Sequence, residues 1–325
     1  MAPVADRLAR DDVLVAIPAH NEERFIGSVV HGVRLEGYRC VVVDDGSADR
    51  TAELATAAGA IVERHPSNRG KGAAMNTAFM AAKRRSAQVL VVMDGDWQHD
   101  PREIQVLIDP IMRGEADIVL GSRFLDGQPA EIPAVRRFGL RVVTAATNAA
   151  SGRWASDSQS GFRAFSRAAI DQLYFRTNGF TVESEIQFLE ERHGLRHAEV
   201  PISVKYDDPP KRNVFSQGLS VIDGVFSLTA RFRPLMFFGL PSLLLILAGL
   251  LAGWMTIETY IRNAFFSAAL GMLTILLIVL GAMGMLAALL LHALRGSFLD
   301  VQQRLDDLAG DHETARFNRG GGDGN

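Results

Sequence analysis

The chain of 325 residues holds a single cysteine, Cys40. No internal disulfide can form, which excludes a small secreted disulfide scaffold and suits a reducing compartment. Cys40 begins an apolar run and reads as a buried structural thiol. The first twelve residues carry Asp6, Arg7, Arg10, Asp11 and Asp12 but no apolar stretch, so a secretory signal is not expected there. An excess of one charge is also missing: 34 Lys and Arg face 37 Asp and Glu, a formal net charge of −3. Without a global positive field, nucleic acid is not an expected partner. Glycine is plentiful, yet the dinucleotide fingerprint and the ATPase phosphate loop are both absent. In Asn68-Arg69-Gly70-Lys71-Gly72 the position that would complete G-x-G-x-x-G is Met75. A redox dinucleotide and ATP are thereby disfavoured, while another phosphorylated ligand fits the close backbone approach of the glycines and the charge of Lys71.

Apolar residues are abundant and unevenly placed. No Asp, Glu, Lys or Arg occurs over the 24 residues from Pro234 to Ile257 or the 32 from Asn263 to Leu294, against about 20 needed to span a bilayer. Two transmembrane helices are expected over 234–295, joined by a tight hairpin at Glu258 to Arg262. Arg231, Arg233 and Arg295 flank the pair and only Arg262 lies in the hairpin, so the domain before the helices and both termini are expected in the cytoplasm. Homo-oligomers built through these helices are compatible with the pattern.

From Val13 to Arg123, short β-branched runs (VLVAIP, CVVVDD, AIVERH, QVLVVMDGD, DIVLGSR) alternate with helical stretches. The pattern predicts an α/β domain over 13–212 with a mostly parallel sheet covered on both faces. Ser47 is the expected cap of the second helix, and Asp100 with Pro101 marks another helix start. Ligands bind at the carboxyl ends of such strands, where Pro18-Ala19-His20-Asn21-Glu22, Asp44-Asp45-Gly46-Ser47 and Asp94-Gly95-Asp96 all fall. The stretch from Asp126 to Pro133 reads as a mobile loop, Arg136 to Ala150 as a basic helix, and EVPISVKY as a strand ending near Tyr206. Over 213–233, apolar Phe215, Leu219, Ile222 and Phe226 recur at helical spacing; this helix lies in the membrane interface or packs on the preceding α/β domain. The tail over 296–325 holds a short amphipathic stretch and a glycine-rich end expected to be disordered.

Two carboxylates separated by one glycine at a strand end are costly unless a cation meets them, and hard oxygens select Mg²⁺ or Mn²⁺. Such an ion neutralises a departing diphosphate. These residues and motifs together resemble glycosyltransferase family 2, of GT-A fold, and within it the polyprenyl-phosphate (dolichol-phosphate) hexosyltransferases, over about Val13 to Tyr206 and into the hairpin. The resemblance implies a nucleotide-diphosphate sugar donor bordered by Pro18, Ala19, Asn21, Glu22, Asp44, Asp45 and Lys71, with Gly95 between the acids. It implies a metal on Asp94, Asp96 and Gln98, and an acceptor phosphate of a polyprenyl or dolichyl lipid met by Ser122, Arg123, Arg136 and Lys205. Departures are His20, where an aromatic hydroxyl is frequent, and Lys205, where arginine is common. Arg137, Arg163 and Lys211 are further cations for that phosphate, and Asp157 lines the sugar pocket, orients Arg163 or caps the next turn. A phosphate oxygen is already anionic at neutral pH, so no general base is required; in-line attack on the anomeric carbon inverts it. His99 reads as a structural residue outside the metal shell.

Two other readings compete. A processive polysaccharide synthase needs a Q-x-x-R-W element, and Arg153-Trp154 follows Ala150 instead. An inactive membrane scaffold conflicts with intact Asp94, Asp96, Arg123 and Lys71. The expected donor is UDP-glucose or UDP-N-acetylhexosamine, with GDP-mannose as the other choice.

Overall fold

The computed structural model of the chain describes residues 10–125, 134–176, 182–204, 229, 235–264 and 266–320, with only the backbone described at 134–136 and 295–320. The expected loop at 126–133, the glycine-rich end at 321–325 and, apart from Thr229, the helix at 213–233 lie outside the described residues. The chain divides into two compact units, Met1–Val225 and Phe226–Asn325.

In the first unit seven strands form one sheet: β1 (Val13–Ala19), β2 (Arg39–Asp44), β3 (Ile61–Arg64), β4 (Val89–Val92), β5 (Ile118–Ser122), β6 (Arg163–Ser166) and β7 (His197–Pro201), in the order β3-β2-β1-β4-β6-β5-β7. Helices α1 (Ile26–Leu35), α2 (Thr51–Ala57), α3 (Lys71–Arg84), α4 (Ile104–Met112), α5 (Ala134–Ser151), α6 (Arg167–Gln172) and α7 (Val182–His193) complete the unit. Side chains alternate across a strand, so Val13, Val15 and Ile17 of β1 join the core with Val29 and Val33 of α1 and Leu107 of α4. Buried Leu14 and Ala16 take the other face, where α3 packs on β1. Phe79 of α3 meets Phe165 edge-on at 5.0 Å and Phe175 at 5.1 Å. Cys40 is 2% exposed, and burial pushes its thiol up to about 12.

β1 pairs in parallel with β2 on one side and β4 on the other; strand order reverses there, which opens a ligand crevice beyond the carboxyl ends. The sheet is mostly parallel, as the sequence predicts, and its one antiparallel strand is β6, which runs between β4 and β5. Its direction matters for the site. Arg163, the first residue of β6, pairs with Val92 near the end of β4 and with Leu120 near the end of β5. The preceding loop, 157–162, therefore arrives at the ligand edge.

Two local expectations are corrected and one holds. Ser47 does not cap α2, whose first residue Thr51 instead donates its N–H to Asp49 Oδ1 at 3.0 Å; Ser47 Oγ accepts from Asn21 N at 2.9 Å. Asp100 does cap, accepting from Arg102 N at 3.0 Å. The last strand stops at Pro201, with one further antiparallel bridge between Val204 and His99.

The second unit holds α8 (Leu240–Asn263), preceded by a π turn (Leu235–Gly239), and α9 (Ala268–Gly320). Leu235–Asn263 and Ala268–Leu294 are 29 and 27 residues long and apolar enough to cross a membrane, each about 40 Å at 1.5 Å per residue. Their outward faces carry exposed Leu244, Leu251, Trp254, Ile275, Met283 and Leu286, unlike the helices of a soluble core. Small residues let the two helices touch: a Cβ on Gly249 would meet Ile278 and one on Gly281 would meet Ile246. Glu258 and Arg262 are not a hairpin loop but an i,i+4 ion pair of 2.6 Å in the last turns of α8. The chain reverses after Ala264, left-handed at φ 49. Beyond the span, α9 continues as one helix to Gly320.

Candidate active site

The first wall of the crevice is built by loops that bind one another. Asn21, at φ 55, accepts Ala48 N through Oδ1 at 3.0 Å, and Glu22 N donates to Thr51 Oγ1 at 2.8 Å. Asp44 is fully buried; it accepts Ser47 N at 3.0 Å and pairs with Arg64 Nε at 3.0 Å. Asp45 organises the glycine loop, since Oδ1 accepts Arg69 N at 2.9 Å, Oδ2 accepts Gly70 N at 2.8 Å, and His65 Nδ1 lies 2.6 Å from Oδ1. His20 Nδ1 donates to the Asp45 carbonyl at 2.9 Å, and Asp45 N donates to Ala19 O at 2.9 Å. Gly46 at φ +68 is required, because a Cβ would overlap the backbone of Ser67 and Asn68. An open recess of about 360 Å³ is lined by Gly46, Ser47, Arg64, His65 and Pro66. Asp44 and Asp45, expected to border the donor, thus hold the loops that form this recess, with Pro18 near the end of β1.

At the centre, Asp94 receives Lys71 Nζ at 2.8 Å on Oδ1, and His99 Nε2 lies 3.7 Å from Oδ2. Lys71 also contacts Glu183 Oε1 of α7 at 2.6 Å. Burial opposes both charges, but Lys71, with His99, holds the Asp94 carboxyl well below its usual range. The two carboxylates likewise raise Lys71 against the effect of its burial. Asp96 is pushed the other way, by burial and then by the charge of Asp94. Gly161 packs against Asp94 so closely that a Cβ would overlap its carboxylate. Gly95 faces Ile17 and Ile26, and Gln98 N donates to Asp96 Oδ1 at 3.1 Å. His99 stacks on Phe162 with centroids 4.9 Å apart.

Among the described residues no cluster of three or more His, Cys, Asp or Glu could enclose a metal. Two carboxylates and an amide oxygen instead suit Mg²⁺ or Mn²⁺, which take their remaining ligands from phosphates and water. Burial first and the Asp94 charge second raise Asp96, and a cation bound beside it would oppose both.

The far wall carries Arg123, whose Nε and Nη2 donate to Asp157 Oδ2 and Oδ1 at 2.5 and 2.6 Å. The guanidinium is 7% exposed and the carboxylate fully buried, a fixed bidentate pair. Asp157 therefore orients Arg123 and not Arg163. Arg163 is withdrawn from the phosphate group: it is 2% exposed and donates to the carbonyls of Ser160 and Ser158 at 3.0 and 2.7 Å. Ser122 is buried as well, its hydroxyl 2.5 Å from that of Ser156. Arg137 is half-buried on α5, whereas the side chain of Arg136, Lys205 and Lys211 lie outside the described residues.

Sequence reasoning missed Glu183, Glu190, His197 and Glu199. Glu183, Gln187 and Glu190 recur at helical spacing on α7 and look solvated, yet every residue from Val182 to Glu190 is buried.

Comparison with known proteins fits this geometry. The model of Glycosyl transferase family 2 matches residues 14–174. A UDP-N-acetylglucosamine–dolichyl-phosphate N-acetylglucosaminyltransferase of Methanococcus voltae is 30% identical over 63% of this chain and 88% of its own length. The chain belongs to glycosyltransferase family 2. A polyprenol monophosphomannose synthase of Mycolicibacterium smegmatis is also 30% identical, over 58% of this chain and 76% of that one. Among solved structures, glucosyl-3-phosphoglycerate synthase of Mycobacterium tuberculosis with Mn²⁺ and UDP-glucose superposes with a TM-score of 0.52 at 25% identity, covering 66% of this chain and 78% of that one. The glycosyltransferase has the GT-A-like sheet of that neighbour and two apolar helices after it.

Proposed function

We propose that this glycosyltransferase moves a hexose from a nucleoside-diphosphate sugar onto the phosphate of a polyprenyl or dolichyl lipid, with inversion, at the cytoplasmic face of a membrane. The observation that carries the reading is the Arg123–Asp157 pair. It holds a guanidinium fork rigid at the end of β5, in a chain with two helices apolar enough to cross a membrane. A lipid phosphate needs such a cation and needs no base, because its oxygen is already charged at neutral pH.

On this reading the recess beside Gly46 and His65 receives the nucleoside, and the glycine loop with Lys71 meets the diphosphate. Asp94, Asp96 and Gln98 would hold Mg²⁺ or Mn²⁺, which supplies charge neutralisation for the leaving nucleoside diphosphate. Arg123, joined by Arg136 and Arg137, orients the attacking phosphate oxygen. The membrane helices keep the site beside an acceptor that stays in the bilayer, which raises its effective concentration. A UDP-linked glucose or N-acetylhexosamine is favoured as donor by the UDP sugars of the Methanococcus voltae relative and the solved neighbour; the mycobacterial mannose synthase supports a mannose donor as the other choice, for which GDP-mannose is the candidate.

The test is transfer of labelled sugar to a polyprenyl phosphate in membranes containing the protein, with UDP-glucose, UDP-N-acetylglucosamine and GDP-mannose side by side. Lipid-linked sugar should form with one of them and vanish in Asp96→Asn. Full transfer by Asp96→Asn, or donor turnover that ignores added lipid phosphate, would overturn the reading.

A further inference from the structure

We propose that Glu199 is a positioning residue for the acceptor end of the site, setting Arg123 through Ser156 and Ser122. The proposal rests on the assignment of Arg123 to the lipid phosphate. Glu199 lies on β7, in register with Leu120 of β5. Its Oε1 accepts from Ser156 N at 2.8 Å and its Oε2 from the Ser156 hydroxyl at 2.5 Å. A hydroxyl has one proton. With that proton on Glu199, the Ser156 oxygen is left to accept from the Ser122 hydroxyl, 2.5 Å away. The Ser122 oxygen in turn accepts from Phe124 N at 3.2 Å.

The bonds therefore run in one direction, from the Phe124 amide to the Glu199 carboxylate, and they anchor both chain neighbours of Arg123. Ser156 also directly precedes Asp157, which takes the Arg123 guanidinium. Glu199 thus holds both partners of the ion pair, the turn 122–124 on one side and the loop 156–157 on the other. Burial favours the neutral acid at Glu199, but bonds from His197 and Ser156 outweigh it and keep the carboxyl below its ordinary value. His197 completes the support, with Nε2 3.4 Å from Glu199 Oε1 and Nδ1 3.1 Å from Glu190 Oε2 on α7.

Three variants of the full membrane protein test this: Glu199→Gln, Ser156→Ala and Arg123→Ala. The Glu199→Gln amide keeps the size of the side chain but turns one acceptor into a donor, which breaks the direction of the chain. Its KM for polyprenyl phosphate should rise about tenfold, the scale of one charged hydrogen bond. Donor affinity by calorimetry should stay within about twofold, and the variant should remain folded at assay temperature, although its melting temperature falls with the loss of one charged partner of His197. Ser156→Ala should shift the acceptor KM in the same direction. If Arg123→Ala leaves the acceptor KM unchanged, the assignment of Arg123 fails, and the proposal with it. If Arg123→Ala raises that KM while Glu199→Gln and Ser156→Ala do not, the positioning proposal alone is overturned. Equal loss of donor and acceptor binding in Glu199→Gln, or misfolding of that variant beside a normal acceptor KM in Ser156→Ala, also overturns it.

Discussion

Lys71 Nζ stands 2.8 Å from Asp94 Oδ1, so the first carboxylate of the Asp94-Gly95-Asp96 turn already has a resident cation. The same ammonium lies 2.6 Å from Glu183 Oε1. A divalent ion that takes Asp94 Oδ1 competes with this ammonium, and Glu183 offers the ammonium a second anion to keep.

Lys71→Met should consequently strengthen Mn²⁺ binding to the nucleotide-free protein and weaken UDP-sugar binding, each by about tenfold. Electron paramagnetic titration of Mn²⁺ with and without UDP separates the two effects. Weaker Mn²⁺ binding in the nucleotide-free variant would mean that Lys71 organises Asp94 for the metal instead of competing with it.

Gly161→Ala tests the wall behind Asp94. The added Cβ would overlap the Asp94 carboxylate, and the neighbouring chain is locked by Arg163 on the carbonyls of Ser158 and Ser160. Asp94 must move. Transfer should fall at least a hundredfold, the scale of a misplaced catalytic group, while circular dichroism and donor-free melting stay near wild type. Wild-type turnover would show that Asp94 tolerates displacement and is not a ligand.

Much of this was legible from the residues alone. The first five strands announce themselves as β-branched runs, and the polar residues that close the second, fourth and fifth place Asp44, Asp94 and Ser122 on one edge. β6 is only four residues long and opens with a fully buried arginine, which local hydropathy reads as surface. α7 fails for a related reason: Glu183, Gln187 and Glu190 are buried against Lys71, Asn148 and His197, partners remote in sequence. Arg163 shows the limit for single residues, because an arginine bonded to carbonyls and one aimed at a phosphate look alike until the loop around it is seen.

The hairpin predicts shared sidedness. If both helices span, a reversal after Ala264 puts the residues before Leu235 and after Leu294 on one side, and on the proposed topology the arginine bias assigns that side to the cytoplasm. Cysteine labels introduced at Ala2 and Asn325, in a Cys40→Ser background, should react together in inverted vesicles and be protected together in right-side-out vesicles. Opposite accessibility of the two labels would rule out an even number of spans.

His197 gives the first unit a pH-dependent stability. Burial lowers its affinity for a proton, but Glu190 and Glu199 outweigh that and hold the imidazolium up to about 9, against about 6.5 in an unfolded chain. The folded state therefore binds the proton more tightly. The stabilisation is complete below about pH 6.5 and is lost as pH rises through about 9; it is worth at most about 3 kcal/mol. Thermal melting of the full protein in detergent should accordingly drop by several degrees between about pH 7 and pH 10. His197→Gln should melt lower at neutral pH and show a flatter pH slope, with the two proteins converging near pH 10. Parallel slopes in wild type and variant would place the titrating group elsewhere and remove the charge from the centre of the Glu190–His197–Glu199 cluster.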